Sequence, residues 1–238
     1  MQSNENKVWC IVPAAGIGSR MKSNTPKQYL QLGLKTVLDS TLERLLASEK
    51  IHKIVVCIHA DDTYWQQSEY VNDPHILIDE GGEKRSDSVL KGLSQIKQNT
   101  TENIWVLVHD AARPCVTTED IDLLLNKVFQ TQEGAILAKP IYDTIKKVSE
   151  GLSVKTHDRS ALWSALTPQV FKINELSEAL ERARLNGQQV TDEASAIELM
   201  AKPVHIVEGR ADNIKITSHE DLKLARFYLE QQEKEACA

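Results

Sequence analysis

The strongest constraint on the fold is an alternation, along most of the chain, between short apolar runs and helical patterns. The runs are continuous rather than alternating, which is typical of strands buried on both faces of a sheet. They span residues 8–12, 53–58, 76–78, 103–108, 134–140 and 204–207. Helical spacing of apolar residues occurs at 37–46, 85–96, 121–129, 174–185, 192–201 and 218–232. The alternation predicts an α/β fold, Rossmann-like and doubly wound, with a mostly parallel sheet.

One segment departs from this rhythm. Residues 145–157 indicate strand, turn and strand, with the turn at Glu150 and Gly151 and mostly polar side chains. The pattern predicts a protruding β-hairpin arm, at about residues 141–163 of a single domain covering residues 1–238. Because an exposed two-stranded ribbon is marginally stable alone, a partner subunit would stabilise it. We therefore expect a homodimer, with a loose surface hairpin as the alternative.

Composition excludes several classes of protein. A formal charge of −6 does not suit binding to nucleic acid or to a membrane surface, so any anionic substrate needs a local cationic pocket. Scattered cysteines without paired spacing predict buried, reduced thiols rather than disulfides or zinc ligands. They are Cys10, Cys57, Cys115 and Cys237. Without a signal-peptide pattern or an apolar run near the ~20 residues of a membrane span, the chain is expected to be soluble and cytoplasmic.

The loop after the first strand, PAAGIGSRMKSNTPKQ at residues 13–28, carries the clearest functional signal. Small residues let backbone N–H groups approach a phosphate chain, and loops at the carboxyl ends of parallel strands bind ligands in this architecture. The candidate nucleotide-binding residues here are Pro13, Ala14, Ala15, Gly16 and Gly18, and the cations are Arg20, Lys22 and Lys27. The alternative is a tight turn with incidental surface charges.

Two familiar phosphate loops do not fit this segment. A Walker loop requires Gly-Lys-Ser/Thr where Met21, Lys22 and Ser23 stand. A dinucleotide fingerprint requires a small residue at Met21 and an acid at the end of the second strand, whereas Asp39 falls within a helical pattern. An NAD-dependent oxidoreductase is therefore a weak hypothesis.

A specific resemblance adds to these observations. AAGIGSRM followed by TPKQYL resembles the signature of nucleotidyltransferases that act on sugars and alditol phosphates. Over residues 8–230 the chain is similar to the 2-C-methyl-D-erythritol 4-phosphate cytidylyltransferases of the non-mevalonate isoprenoid pathway. The motifs that carry the resemblance are GGEKRSDSV, HDAARP, DTIKKV, ALTPQVF, TDEASAIE and EGRADNIKIT. It implies attack of a substrate phosphate on the α-phosphorus of CTP, with release of pyrophosphate.

Such a reaction needs cations more than it needs a base. A phosphate monoester has a second pKa of about 6, so the attacking oxygen is already ionised at pH 7. The difficulty is repulsion between two polyanions and the charge growing at the α-phosphate, which cations and Mg²⁺ counter. By resemblance, Arg20 and Lys27 neutralise the triphosphate and Lys215 meets the α-phosphate in the transition state.

The resemblance also implies two substrate pockets. A pocket that hydrogen-bonds the base edge rejects a wrong base strongly, because unmatched polar groups stay unpaired. The further nucleotide-binding residues are Gly82, Glu83, Ser88, Asp110 and Ala111. The acceptor-binding residues are Arg113, Thr144, Arg159, Thr167 and Thr191. Thr144 and Arg159 flank the arm, which in this family reaches across the dimer, so they would serve the neighbouring subunit's site.

Other polar residues near these motifs have structural interpretations. Mg²⁺ would be held mainly by CTP phosphates, with Asp110 as a possible ligand. We expect His109 to be structural, and Arg85 and Asp87 to fix the loop before a helix that begins at Ser86. Asp192 and Glu193 resemble a catalytic pair, but acids at a helix start favour the dipole.

Two alternatives differ in their acceptor or in their chemistry. A cytidylyltransferase acting on ribitol 5-phosphate or another alditol phosphate would share the loop and the sheet, but that branch usually departs at HDAARP and TDEASA. A non-catalytic nucleotide-binding regulator would not require Arg20, Lys27 and Lys215 together.

Overall fold

The computed structural model describes residues 8–16 and 25–236. Its centre is a seven-stranded sheet built from β1 (Val8–Pro13), β4 (Ile51–Ile58), β5 (Ile76–Glu80), β6 (Trp105–Val108), β7 (Gly134–Pro140), β10 (Trp163–Lys172) and β11 (Val204–Glu208). The strand order is β11-β7-β10-β6-β1-β4-β5. All pairings are parallel except those of β10 with β6 and β7. The predicted mostly parallel α/β sheet is confirmed.

Helices cover both faces of this sheet, as strand side chains of period two require. Val8, Cys10 and Val12 of β1 pack in one cluster with α1 (Val37–Leu46) and α3 (Thr118–Thr131). Trp9 and Ile11 pack in another with α2 (Arg85–Asn99), α4 (Ile173–Leu185) and α5 (Glu193–Glu198). The last helix, α6 (His219–Ala236), joins a third cluster with Ile216. Cys10, Cys57 and Cys115 are buried, free thiols, and Cys237 lies outside the described residues.

Several helices begin where a side chain caps the first turn. The hydroxyls of Thr36 and Thr117 accept hydrogen bonds from the backbone N–H groups of Asp39 and Asp120, at 3.0 and 3.2 Å. Helix α6 extends to Ala236, beyond the predicted end near residue 232, whereas α5 is shorter than the predicted 192–201. Among the residues described, no helix combines the length and apolar character that crossing a bilayer requires.

Strand β10 was not predicted, and it is antiparallel to both neighbours. Pro168 lies in its interior, and a proline normally argues against a central strand because it cannot donate to the ladder. Here the register with β7 shifts between Ala165 and Gln169, so Pro168 falls inside the irregularity. The missing donor is thus placed where regular pairing is already interrupted.

The predicted hairpin forms a two-stranded sheet of its own, β8 (Ile145–Ser149) with β9 (Leu152–His157). Its turn contains Glu150 and Gly151 at φ 50° and 81°, the left-handed geometry of the tight hairpin turns. Val148, Leu152 and Val154 are 59%, 71% and 55% exposed. A second short hairpin, β2 (Gln31–Leu32) with β3 (Lys35–Thr36), precedes α1 and was not predicted.

Candidate active site

The loops that carry the predicted motifs meet at the carboxyl edge of the sheet. Strand β1 lies between β4 and β6, so the loop after Pro13 stands between the loops that follow the neighbouring strands. Pro13, the last residue of β1, pairs with Cys57 near the end of β4, whereas Val108 at the end of β6 pairs with Ile11, so β6 ends slightly earlier. This edge is where doubly wound sheets bind ligands.

A cavity of about 150 Å³ opens at this edge. Its lining consists of Pro13, Ala14, Ala15, Gly16, Lys27, Gln28, Gly82, Glu83, Lys84, Arg85, Ser88, Asp110, Ala111, Ala112 and Lys215. Every predicted nucleotide-binding residue in the described part of the chain is in this set, as are Lys27 and Lys215. The predicted residues Gly18 and Arg20 lie outside the described residues.

The first loop is held by hydrogen bonds to its own last residue and to the neighbouring strand. The N–H of Ala14 donates to the carbonyl of Cys57 at 2.8 Å, and Gln28 Nε2 donates to the carbonyl of Ala14 at 2.6 Å. Gln28 was not singled out from sequence, although it directly follows Lys27. Its buried amide anchors the loop backbone, so its function is structural.

The loop between β5 and α2 packs directly against the first loop. A Cβ added to Gly81 would lie 2.3 Å from the Cβ of Ala15, so only glycine allows this approach. The N–H of Gly82 donates to Ser88 Oγ at 3.0 Å, and the N–H of Lys84 donates to Asp87 Oδ2 at 3.2 Å. Ser88 therefore shapes the backbone at Gly82 from the first turn of α2.

Asp110 is the electrostatic centre of the site. Its Oδ2 lies 2.8 Å from Lys215 Nζ and 3.4 Å from Arg113 Nε, while its Oδ1 accepts from Arg85 Nε at 2.8 Å. Burial alone would raise the pKa of this carboxyl, but Arg85, Lys215 and Arg113 outweigh burial and hold the pKa well below its usual value. Asp110 is therefore ionised at any working pH, and it collects cations from three separate parts of the chain.

His109 and Thr167 hold the backbone of Asp110 in place through a chain of hydrogen bonds. His109 is fully buried, and burial lowers its pKa to about 4, so the imidazole is neutral at pH 7. Its Nε2 lies 3.0 Å from the carbonyl of Arg113, which can only accept, so Nε2 carries the proton. Nδ1 must then accept from the hydroxyl of Thr167 at 3.0 Å, and that hydroxyl accepts from the N–H of Asp110 at 3.0 Å.

The segment that carries Lys215 is tied to the same group of residues. Arg113 Nη1 donates to the carbonyl of Asn213 at 2.7 Å, and Asn213 Nδ2 donates to the carbonyl of Thr167 at 2.9 Å. Lys27 Nζ donates to the carbonyl of Ile216 at 3.2 Å. The predicted catalytic lysines are therefore neighbours, although 188 positions separate them in the sequence.

The predicted acceptor-binding residues are only partly brought together. Arg113 and Thr167 lie buried beside Asp110 with the hydrogen bonds given above. Thr191 lines a second cavity of about 650 Å³, which shares Lys84 and Arg85 with the first. Thr144 and Arg159 are exposed at the base of the hairpin, where Arg159 donates to the carbonyl of Tyr142, and they line neither cavity.

Sequence reasoning missed the pairing of Arg85 with Glu193. The guanidinium donates to both carboxylate oxygens of Glu193, at 2.6 and 3.0 Å, and Glu193 is only 1% exposed. Asp192 caps α5, as its position suggested, by accepting from the N–H of Ser195 at 3.0 Å. In the sequence, Glu193 is an acidic residue one position inside the helix rather than at its cap. That position alone does not reveal a partner 108 residues away.

The described residues contain no group of three or more His, Cys, Asp or Glu side chains that could hold a metal ion. Asp110 and Glu83 are the carboxylates in the cavity lining, and cations already surround Asp110. This arrangement fits a Mg²⁺ ion that keeps its waters and substrate phosphates, rather than a protein-built cage.

The fold and the cavity together define an α/β protein with a loop of small residues and a cation cluster at the carboxyl edge of its sheet. Comparison with known proteins narrows this class. Residues 8–231 match the family model described as 2-C-methyl-D-erythritol 4-phosphate cytidylyltransferase. The chain belongs to this family.

Curated relatives and solved structures agree with the family assignment. The chain is 46% identical over 230 residues to the 2-C-methyl-D-erythritol 4-phosphate cytidylyltransferase of Photobacterium profundum, covering 94% of this chain and 97% of the relative. It is 48% identical over 229 residues to that of Aliivibrio fischeri, covering 96% of each. The crystal structure of the Francisella tularensis enzyme matches with a TM-score of 0.82 and 38% identity, covering 93% of this chain and 99% of that one.

Proposed function

We propose that this chain transfers CMP from CTP to 2-C-methyl-D-erythritol 4-phosphate in non-mevalonate isoprenoid biosynthesis. The products are 4-diphosphocytidyl-2-C-methyl-D-erythritol and pyrophosphate. The observation that carries the proposal is the cavity in which Lys27 and Lys215 stand beside the small-residue loop and Asp110. The family membership of the chain supports the choice of both substrates.

The chemical step is an in-line displacement at the α-phosphorus of CTP. An oxygen of the acceptor phosphate forms the new P–O bond, and the bond to the β-phosphate breaks, so pyrophosphate leaves with the electron pair. The nucleophile is already ionised, so the protein's task is to hold two polyanions together and stabilise the growing charge. Lys27 and, by resemblance, Arg20 would neutralise the triphosphate, and Lys215 would move from Asp110 to the α-phosphate oxygens.

Recognition of cytosine belongs to the loop between β5 and α2. Gly82 and Glu83 line the cavity and can present backbone groups to the base edge, while Ser88 holds Gly82 in place. Asp110 and Ala111 lie where the ribose and the acceptor would meet. The phosphates would bind to the first loop, at Pro13, Ala14, Ala15, Gly16 and Gly18.

The acceptor would be held by two subunits. Arg113, Thr167 and Thr191 come from the protomer whose loop binds CTP. Thr144 and Arg159 lie at the base of the hairpin and line neither cavity of their own chain, which supports their use by a neighbouring subunit. The exposed apolar residues Val148, Leu152 and Val154 give the hairpin a surface to bury in a homodimer. The proposal places the protein in the cytoplasm.

In this proposal, the divalent metal ion is bound to the nucleotide. Mg²⁺ bound to CTP phosphates would supply charge neutralisation at the α-phosphate and the leaving group. Asp110 is the candidate protein ligand, since its carboxylate stays ionised and would lose one cation when Lys215 turns to the substrate.

Release of pyrophosphate from CTP and Mg²⁺ tests the function, with 2-C-methyl-D-erythritol 4-phosphate and ribitol 5-phosphate compared as acceptors. Release that depends on the methylerythritol acceptor is the expected result. Preference for ribitol 5-phosphate would assign the chain another acceptor. No release with either acceptor, despite binding of CTP, would identify a nucleotide-binding regulator instead.

A further inference from the structure

The buried carboxylate of Glu193 lies outside the cavity that contains Lys27 and Lys215, in the wall of the second cavity that Thr191 also lines. It nevertheless belongs to the charge network of the first cavity. Glu193 is the first residue of α5, and it binds Arg85, the first residue of α2. Arg85 Nη1 and Nη2 donate to the two oxygens of Glu193 at 2.6 and 3.0 Å, and Arg85 Nε donates to Asp110 Oδ1 at 2.8 Å. One guanidinium thus joins α5 to the carboxylate that holds Lys215.

The guanidinium of Arg85 is shared between Glu193 and Asp110, and this sharing determines which oxygen of Asp110 it contacts. An arginine beside a carboxylate prefers a bidentate contact through two parallel N–H groups. Glu193 takes the end-on fork formed by Nη1 and Nη2, and the contact of Arg85 with Asp110 runs through Nε to one oxygen. The other oxygen of Asp110 contacts Lys215 Nζ at 2.8 Å, with Arg113 Nε farther away at 3.4 Å.

Without the charge of Glu193, Arg85 and Lys215 would compete for Asp110. The arginine could turn its fork onto both carboxylate oxygens and displace the lysine from Oδ2. A direct chemical role for Glu193 does not fit this geometry, because Arg85 engages both of its oxygens and its side chain is 1% exposed.

We propose that Glu193 is a positioning residue: by engaging the Arg85 fork, it keeps one oxygen of Asp110 for Lys215 and so sets where that lysine stands before the chemical step. The inference rests on the proposed function, in which Lys215 meets the α-phosphate. It extends that function to a residue outside the substrate-binding residues proposed above.

The first test is steady-state kinetics of Glu193→Gln, which keeps the shape of the side chain and removes its charge. We expect kcat to fall about tenfold, while KM for CTP changes by less than about twofold, because the lysine and not the nucleotide loop is displaced. The matched control is Glu175→Gln. Glu175 of α4 pairs with Lys202 at 2.8 Å, so it loses a salt bridge on the same side of the sheet with no contact to Asp110. Its kcat should equal that of the wild type.

A double-mutant cycle separates positioning from a general structural role. If Glu193 acts through Arg85, then adding Glu193→Gln to Arg85→Gln should lower kcat no further than Arg85→Gln alone. If the two losses multiply, Glu193 acts independently of Arg85 and the proposal is wrong. A wild-type kcat in Glu193→Gln would equally overturn it.

A second variant is needed in case Glu193→Gln does not fold, because breaking an ion pair whose carboxylate is buried is destabilising. Glu193→Asp keeps the charge on a side chain one methylene shorter, and we expect a kcat between those of the wild type and Glu193→Gln. If only this variant is folded, a lowered kcat at unchanged KM supports the proposal, and wild-type kcat contradicts it. Failure of the proposed function looks different, because the wild type itself would then release no pyrophosphate.

Discussion

At the scale of the residue, the carboxylate of Asp110 holds several cations together in the site. Asp110 contacts Lys215, Arg113 and Arg85, and its low pKa follows from their attraction. Such a cluster holds positive charge in place before a substrate arrives. In the proposed reaction, the triphosphate would replace Asp110 as the partner of Lys215, and the protein would not have to assemble new cations.

Lys27→Ala gives the most direct check of a single cation. Because Lys27 stands beside the Lys215 segment and lines the cavity, we expect turnover to fall ~100-fold or more, by analogy with the loss of one preorganised donor. Steady-state assays at saturating substrates measure this. Lys50→Ala is the control, since Lys50 pairs with Asp122 at a distance of 2.8 Å on the surface. Near-normal turnover of Lys27→Ala would remove Lys27 from the catalytic group.

Asp120 gives a prediction about stability and pH. This residue of α3 is 3% exposed, and burial, with Asp212 nearby, raises its pKa to about 6. The folded pKa lies above the unfolded value of about 3.9, so the ionised carboxylate costs stability above pH 6, and this cost disappears as the pH falls toward 4. Asp120→Asn should therefore raise the free energy of unfolding by about 1–2 kcal/mol at pH 8 and by much less near pH 4.

Urea unfolding of Asp120→Asn at both pH values checks this expectation. Asp122→Asn is the control on the same helix, because Asp122 is half exposed and paired with Lys50, so its replacement should not stabilise the protein at pH 8. A loss of stability in Asp120→Asn at pH 8 would show that the buried carboxylate is favourable.

At the scale of the element, the contact between two loops makes glycine necessary at position 81. In Gly81→Ala the new Cβ would lie 2.3 Å from the Cβ of Ala15 and 2.9 Å from Ser88 Oγ. Either the first loop or the loop between β5 and α2 must move, so we expect KM for CTP to rise about tenfold or more. Gly134→Ala is the control, because its Cβ would meet the ring of Phe171 at 2.2 Å, far along the chain from these loops.

Both glycine variants should lose stability, by about 1–3 kcal/mol, as overpacked positions do. Only Gly81→Ala should weaken CTP binding, which calorimetry measures directly. Equal affinity for CTP in the two variants would mean that the loops adjust without affecting the nucleotide.

Elements with one strong local signal were predictable from sequence, and elements defined by distant partners were not. The apolar runs gave the parallel strands, and Glu150 with Gly151 gave the turn of the hairpin. Strand β10 was missed because Pro168 contradicts a central strand unless the irregular register is known. In the site, the motifs identified the cavity lining, but the bonds from His109 to Thr167 and from Arg85 to Glu193 depend on tertiary geometry that no local pattern encodes.

At the scale of the whole molecule, the proposed dimer can be tested by mixing two inactive proteins. If Arg159 serves the neighbouring subunit, a heterodimer of Lys27→Ala and Arg159→Ala contains one site with an intact loop and an intact hairpin residue. After random exchange of subunits, about a quarter of the wild-type activity should return.

Each variant mixed with itself is the control for this experiment, and both should stay inactive. Recovery confined to the mixture would support sites shared between subunits. If the mixture stays as inactive as its components although subunits exchange, Arg159 serves its own chain or none. Analytical ultracentrifugation would establish first that the protein is dimeric.

Strand β10 gives the molecule a mechanical connection between its hairpin and its site. The strand starts at Trp163, next to the closing bond from Ile141 to Leu162 at the base of the hairpin, and it reaches Thr167 beneath Asp110. A hydrogen-bonded strand scarcely stretches, so a load applied to the hairpin is carried into the middle of the sheet rather than absorbed by a slack loop. Along this path the regular pairing of β10 with β7 is interrupted between Ala165 and Gln169, and Thr167 stands within this stretch.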